Sequence, residues 1–168
     1  MPHEHKKGAG KEHPKTHLIL ISSVLMFITI CVLDTFVLNI STQLAYIIPF
    51  IVRIILFAIG LVLAFVFQRL SHQAAFSDES ENSLIKTGIF AHVRNPVYLI
   101  IPLYFIAFVL LTMSLISLIP LIISFIMYTP MVKYEEKDLE KIFGQEYLDY
   151  KEKVPRWLPR LTPAKFND

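Results

Sequence analysis

Residues 96–133 read PVYLIIPLYFIAFVLLTMSLISLIPLIISFIMYTPMVK, and this apolar stretch decides the fold. Its one charged residue is Lys133, at the very end. A helix crosses a bilayer in ~20 residues, so the stretch is too long for one span and long enough for two short ones. Thr112-Met113-Ser114 offers a polar point for a turn between them. The stretch therefore predicts a helical hairpin, with spans at about 96–112 and 115–133.

Two further apolar stretches lie upstream of this hairpin, at about 17–40 and 46–69, and each is long enough to span a membrane. Hydrophobic residues make up 54% of the chain and charged residues only 18%, against roughly 25% in an average soluble domain. These features predict an all-α integral membrane protein with about four transmembrane helices. We expect residues 17–168 to form one domain after a disordered basic tail over residues 1–16.

The placement of Lys and Arg predicts the orientation of these helices. Fifteen of the 16 basic residues lie in the tail, at the end of the second span, between residues 70 and 95, or from residue 133 onward. The 41–45 connection and the 112–114 turn contain none. By the positive-inside rule, both termini and the central loop are therefore expected on the cytoplasmic side.

Two charged residues fall inside the predicted spans, Asp34 in the first and Arg53 in the second. Counted at 1.5 Å per residue, both lie ~10 Å below the outer end of their helices. An unpaired charge at that depth is unfavourable, so we predict an Asp34–Arg53 ion pair. The alternative is that these side chains contact a polar substrate.

Several classes of function are disfavoured by what the sequence lacks. The five glycines form no phosphate-binding loop, so a Rossmann or P-loop nucleotide site is not expected. The single cysteine, Cys31, excludes an intrachain disulfide and a Cys-based zinc site, and no metal site is predicted. The net charge of +2 gives no reason to expect a nucleic-acid partner.

Charged and aromatic residues cluster in two segments that flank the hairpin, residues 84–98 and residues 134–161. The second is predicted to be an amphipathic helical segment on the cytoplasmic face. Because the hairpin returns the chain to the same side, the two segments should be neighbours in space. Together they could hold a polar zwitterionic ligand while an apolar substrate enters from the lipid. The alternative is that these residues are interface anchors and solvated helix charges. The two clusters consist of His92, Arg94, Asn95 and Tyr98, and of Glu135, Glu136, Tyr147, Tyr150 and Arg156.

The order and spacing of these residues resemble a known family. Residues 87–98, TGIFAHVRNPVY, resemble the T-G-x-Y…R-H-P-x-Y signature of isoprenylcysteine carboxyl methyltransferases. Residues 135–159, EEKDLEKIFGQEYLDYKEKVPRWLP, resemble that family's E-E-x-x-L-x-x-x-F-G-x-E-Y-x-x-Y-x-x-x-V-P-x-x-L-P block. The resemblance covers roughly residues 84–161. Asn95 stands where the family most often has histidine, and Phe90 replaces the usual tyrosine.

The resemblance implies an integral membrane methyltransferase that uses S-adenosylmethionine in a cytoplasm-facing pocket, with membrane lipids and an apolar or lipid-like methyl acceptor as partners. Given that cofactor, charge suggests the roles. Glu135 or Glu136 would hold the ammonium or the ribose diol, and Arg94 would pair with a carboxylate. Arg94 and Arg156 are the predicted catalytic residues, with Arg156 steering an acidic acceptor or, alternatively, anchoring a lipid phosphate. The predicted cofactor contacts are His92, Arg94, Asn95, Tyr98, Glu135, Glu136 and Tyr147.

Three functions are compatible with these residues. The first is carboxyl O-methylation of a lipidated or otherwise apolar acid, which needs no general base because a carboxylate is already ionised at neutral pH. The second is N- or S-methylation of a phospholipid or small molecule by the same fold, in which the acceptor must first lose a proton. The third is a membrane scaffold without enzymatic activity, which would bind no cofactor.

Overall fold

A computed structural model describes residues 13–75 and 83–166 of the protein. Most of the predicted tail and the centre of the polar loop between the second and third spans therefore lie outside the described residues. The described part is helical and contains no strand. Its α-helices are α1 (Thr16–Leu33), α2 (Leu44–Ile47), α3 (Phe50–Ala75), α4 (Val97–Thr112), α5 (Leu118–Phe143) and α6 (Gln145–Lys153). A π-helical turn over Asp34–Leu38 extends α1, and 3₁₀ turns cover Gly88–Ala91 and Leu115–Ser117.

The prediction of an all-α membrane protein is confirmed. Three helical stretches of the described chain are long and apolar enough to cross a membrane, namely Thr16–Leu38, Phe50–Ala74 and Leu115–Phe143. The fourth apolar helix, α4, has 16 residues and is shorter than the ~20 that a full span usually needs. About four membrane helices is therefore a consistent description, with α4 as the short one.

Two helix boundaries differ from the predicted spans for local reasons. The helix α3 begins at Phe50 rather than near residue 46, because Ile48 is extended and is followed by Pro49, which disfavours helix in the residue before it. The helix α5 continues to Phe143, ten residues beyond the predicted apolar span. It ends only where Gly144 adopts a positive φ of 55°, a backbone conformation that glycine accepts without strain.

Contacts divide the chain into two compact units. The first, the bundle unit, comprises Pro14–Val66 and Ile100–Thr129. In its core the rings of Phe27 and Phe105 stack with centroids 4.0 Å apart. Gly60 allows a close approach of α3 and α4, since a Cβ at Gly60 would lie 2.9 Å from the Cβ of Ala107.

The second unit, the polar-end unit, contains Phe67–Leu99 and the chain from Pro130 onward. Its core packs the buried faces of α6 and of the residues that follow α6 against Leu84. Leu139 and Phe143, one turn apart on α5, cover this core, as expected for an amphipathic segment. The core residues are Leu84, Tyr147, Tyr150, Val154 and Ala164.

The predicted Asp34–Arg53 ion pair is wrong. The carboxylate of Asp34, 1% exposed, accepts hydrogen bonds from the backbone N–H groups of Ile40 and Ser41, at 2.8 and 3.1 Å. The hydroxyls of Ser41 and Ser114 donate to its other oxygen, at 2.5 and 2.7 Å. The chain reverses at Asn39, with φ 49°, directly after the π-helical turn. This reversal carries the next two N–H groups back onto Asp34, so local donors replace the distant cation.

We predict that Asp34→Ala destabilises the bundle unit strongly, because it removes the carboxylate that accepts from two hydroxyls and two N–H groups. The expected loss of unfolding free energy is about 3 kcal/mol. Thermal or denaturant unfolding in mild detergent measures it. Thr35→Ala is the matched control, since the Thr35 hydroxyl is buried on the same turn with no hydrogen-bond partner among the described residues. Equal losses for the two variants would contradict this account of Asp34.

Candidate active site

A cavity of about 110 Å³ lies in the polar-end unit, between the segment that leads into α4 and the adjoining parts of α5 and α6. Its lining combines apolar side chains with a guanidinium, an amide, a carboxylate and three phenols. The lining residues are Leu84, Ile85, Phe90, Arg94, Asn95, Pro96, Val97, Tyr98, Glu135, Leu139, Tyr147 and Tyr150.

Directly beside the cavity, one buried carboxylate holds two arginines. Glu136 is 2% exposed. Arg156 binds it in bidentate fashion, with Nη2 2.6 Å from Oε2 and Nε 3.2 Å from Oε1. Nε of Arg94 lies 3.5 Å from Oε1, and the Asn95 amide donates to that same oxygen at 3.2 Å. We call Arg94, Glu136 and Arg156 the arginine–glutamate cluster.

The backbone itself brings the two arginines together. The N–H of Arg94 donates to the carbonyl of Pro155 at 3.0 Å, which places the residue before Arg156 beside Arg94. The N–H of Arg160 donates to the carbonyl of His92 at 3.0 Å, so the pairing continues along the chain. Nη1 of Arg94 donates to the carbonyl of Lys151, the last turn of α6, at 3.0 Å. The segment before α4 and the segment after α6 therefore form one platform.

The neighbouring carboxylate, Glu135, has a different position. It lines the cavity and accepts a hydrogen bond from the hydroxyl of Tyr98. Successive residues of a helix are rotated by ~100°, so Glu135 and Glu136 point in different directions from α5. Glu136 contacts both arginines, whereas Glu135 lines the cavity that a ligand would fill.

Two buried tyrosines, Tyr147 and Tyr150, belong to the cavity lining. Burial raises the pKa of both Tyr147 and Tyr150 well above the usual value of a phenol. Both phenols therefore stay protonated at neutral pH, and neither is a general base there. The hydroxyl of Tyr150 donates to the carbonyl of Phe90 at 2.9 Å, which ties α6 to the 3₁₀ turn. The hydrogen bond to Glu136 raises the pKa of Arg156, so this guanidinium stays charged.

The structure brings most of the predicted residues to one place, in two layers. The cavity wall contains Arg94, Asn95, Tyr98, Glu135 and Tyr147. Glu136 and Arg156 lie behind that wall, paired with each other. His92 is not in the wall, and its Nδ1 is 2.7 Å from the carbonyl oxygen of Arg160.

The apolar part of the lining was not predicted from the sequence. It includes Leu84, Ile85, Phe90 and, from α5, Leu139. Nothing distinguishes these side chains from the many other apolar residues of the chain until the fold is known. Among the residues that the structure describes, no group of three or more His, Cys, Asp or Glu side chains is placed to hold a metal ion.

Fold and site together define a helical membrane protein with a polar pocket near the ends of its apolar helices. The family profile of phospholipid methyltransferases matches residues 48–146, more than half of the chain. This chain belongs to the phospholipid methyltransferase family. It is also 33% identical over 90 residues to the protein-S-isoprenylcysteine O-methyltransferase of Saccharomyces cerevisiae. That match covers 53% of this chain and 38% of the yeast protein, so the chain spans well under half the length of that relative.

We predict that Glu136→Gln is destabilising, because it leaves two guanidiniums beside each other without their shared anion. The expected cost is about 3 kcal/mol of unfolding free energy. In the Glu136→Gln background, adding Arg156→Gln should cost little more, because the repulsion is then relieved. A double-mutant cycle on unfolding free energies measures this coupling.

The exposed ion pair of Lys86 and Glu146, at 2.8 Å, supplies the control. Glu146→Gln should cost less than about 1 kcal/mol, as is usual for solvated pairs. Strict additivity of Glu136→Gln and Arg156→Gln would show that the cluster does not act as a unit.

Proposed function

We propose that this chain is an S-adenosylmethionine-dependent methyltransferase that acts on an apolar or lipidated acceptor, and that the reaction is carboxyl O-methylation. The observation that carries the proposal is the cavity in which Arg94, Tyr98 and Glu135 meet, backed by the arginine–glutamate cluster. Because the chain belongs to a methyltransferase family, the reaction that we assign to this cavity is methyl transfer.

The charges of the site match the methyl donor. The aminoacyl end of S-adenosylmethionine is a zwitterion, with one ammonium and one carboxylate. The formal charges of Arg94, Arg156, Glu135 and Glu136 also sum to zero, with both signs accessible from the cavity. Glu135 lines the cavity and is the better partner for the ammonium, and Arg94 is the partner for the carboxylate.

The volume of the cavity limits how much of the donor it encloses. At about 110 Å³ it is smaller than the ~300 Å³ at which pockets for drug-sized ligands begin. We therefore assign the aminoacyl end to the enclosed part and leave the remainder of the donor at the cavity mouth. Asn95 and Tyr147, which also line the cavity, complete the polar contacts.

The residues behind the wall have a different role in this proposal. Glu136 is engaged by two arginines and an amide, so we treat it as a positioning residue for Arg94 rather than as the first partner of the ammonium. Arg156, whose side chain is 23% exposed, keeps an accessible edge that could steer the carboxylate of an acceptor. His92 and Glu136 remain predicted cofactor contacts that lie outside the cavity wall.

Bound S-adenosylmethionine supplies the chemistry, an in-line transfer of the methyl group from its sulfonium to the acceptor. The protein then has to align the two molecules and exclude water. A carboxylate acceptor needs no proton removed, and the phenols of Tyr147 and Tyr150 in the cavity lining remain protonated. The site therefore suits O-methylation of a carboxylate, and the name of the yeast relative also states an O-methyl transfer.

A second candidate is methylation of a phospholipid, which the name of the matching family favours. Both acceptors are lipid-like, and both would reach the site from the membrane. A membrane scaffold without activity is disfavoured because the site keeps both of its charged segments in contact. We place the site and both termini on the cytoplasmic side, because the basic residues cluster at that end of the helices.

We expect the full chain, purified in mild detergent, to bind S-adenosylmethionine saturably in a calorimetric titration. Glu135→Gln and Arg94→Gln should each weaken the affinity on the order of 10-fold, because each loses one charged hydrogen bond to the donor. Glu146→Gln, which removes a carboxylate outside the cavity, should bind like the wild type.

Thermal unfolding of each variant confirms that it is folded before the titration. Absence of binding by folded wild-type protein would overturn the proposal. Unchanged affinity in Glu135→Gln would show that a residue other than Glu135 binds the ammonium.

A further inference from the structure

Arg53 is a cation in the first turn of α3 whose predicted partner, Asp34, is engaged elsewhere. Asp34 accepts four hydrogen bonds from the residues around it. Within residues 13–75 and 83–166, Arg53 pairs with no acidic side chain. Its contacts are one hydrogen bond from Nη1 to the carbonyl of Leu111, at 3.3 Å, and the ring of Phe50, 5.1 Å from its guanidinium carbon.

This arrangement leaves most of the hydrogen-bonding capacity of the guanidinium unused. A guanidinium carries five N–H donors. The Nε of Arg53 is buried and has no hydrogen-bond partner among the described residues. A buried donor without an acceptor is unfavourable, and a cation in an apolar surrounding is more so. A negatively charged acceptor would supply both the missing hydrogen bonds and the opposite charge.

The position of Arg53 on α3 increases this requirement. It lies three residues after Phe50, the first residue of the helix. The N-terminal end of a helix carries a partial positive charge, so a cation in the first turn is repelled there and an anion is attracted. An anion bound at this point would neutralise the guanidinium and the helix end together.

The surrounding residues place this site at the edge of the membrane. The rise from Phe50 to Arg53 is only ~4.5 Å along α3. Tyr46, in the short helix α2, is 83% exposed, and Phe50, the first residue of α3, is 61% exposed. Aromatic residues near the ends of membrane helices commonly contact the lipid headgroups. The helix begins at Phe50 and not near residue 46, so Arg53 is only one turn from its end. The guanidinium is thus expected close to the level of the lipid phosphates.

We propose that Arg53 binds the phosphate of a membrane phospholipid at the end of the bundle where α1 ends and α3 begins. The planar guanidinium matches two oxygens of a phosphodiester in a bidentate contact. Phe50 would flank the same headgroup, because it already lies against the guanidinium. This site is independent of the proposed methyl transfer, and its residues belong to the bundle unit alone.

The test is a thermal-stability titration of the full, delipidated chain in detergent with three probes: short-chain phosphatidylglycerol, the matching diacylglycerol and inorganic phosphate. We expect phosphatidylglycerol to raise the melting temperature of the wild type, and the other two to have no such effect. In Arg53→Gln the apparent affinity for phosphatidylglycerol should fall on the order of 10-fold. Arg53→Lys keeps the charge but lacks the planar fork, so its affinity should be intermediate.

Arg69→Gln is the matched control, because it removes the same charge from an exposed position on the same helix. It should retain the wild-type affinity. Equal affinity in Arg53→Gln and the wild type would overturn the proposal, as would an equal loss in Arg69→Gln. Stabilisation by diacylglycerol alone would show that the acyl chains bind without the phosphate. Stabilisation by inorganic phosphate as strong as that by the lipid would replace the lipid site with a site for free phosphate.

Discussion

The candidate site depends on one buried carboxylate, Glu136, shared by two guanidiniums. Removing three charges from water is unfavourable, and a buried ion pair often contributes little net stability. The cluster instead fixes the positions of the two chain segments that carry the arginines. Arg94 lies just before α4 and Arg156 lies after α6, so the contact with Glu136 joins two segments that are far apart in sequence. The backbone hydrogen bonds between residues 91–94 and 155–164 make the same connection.

This arrangement separates the roles of two adjacent carboxylates. Glu136 is paired with both arginines, whereas Glu135 lines the cavity and accepts a hydrogen bond from Tyr98. The sequence alone predicts a site containing both and offers no way to distinguish them. Their distinction depends on the rotation of α5 about its axis, which is set by the packing of Leu139 and Phe143 on the polar-end core. The rotation of a helix about its axis is set by tertiary packing. The acidic pair in the sequence motif therefore does not reveal which carboxylate faces the cavity.

Much of the fold could be predicted because hydropathy and charge are strong signals in a membrane protein. The hairpin of α4 and α5 follows from the length of the apolar stretch at residues 96–133, and the meeting of the two polar segments follows from the hairpin. Boundaries were less predictable where the backbone leaves regular helix. Pro49 delays the start of α3, and α5 continues past its apolar part because no residue interrupts it before Gly144.

The prediction for Asp34 failed for an instructive reason. Matching charges by depth treats each helix as a straight rod with no other donors nearby. The π-helical turn and the reversal at Asn39 supply backbone N–H groups within hydrogen-bonding distance, and these bind a carboxylate at less entropic cost than a long side chain does. Neglect of the local backbone also explains why His92 was predicted to line the cavity. Its ring is instead directed to the carbonyl of Arg160. Composition and spacing identify which residues are polar, whereas the local chain path decides what each one contacts.

In the proposed reaction, a methyl group passes to a carboxylate at this site without a general base. The most direct measurement is the rate of methyl transfer from labelled S-adenosylmethionine to a lipidated carboxylic acid, recorded between pH 6 and pH 8. A carboxylate, with a pKa of about 4, is fully ionised over this range, so the account predicts a base-labile methyl ester formed at a nearly constant rate. Methylation of an amine lipid instead, with a rate that rises roughly 10-fold per pH unit, would contradict it.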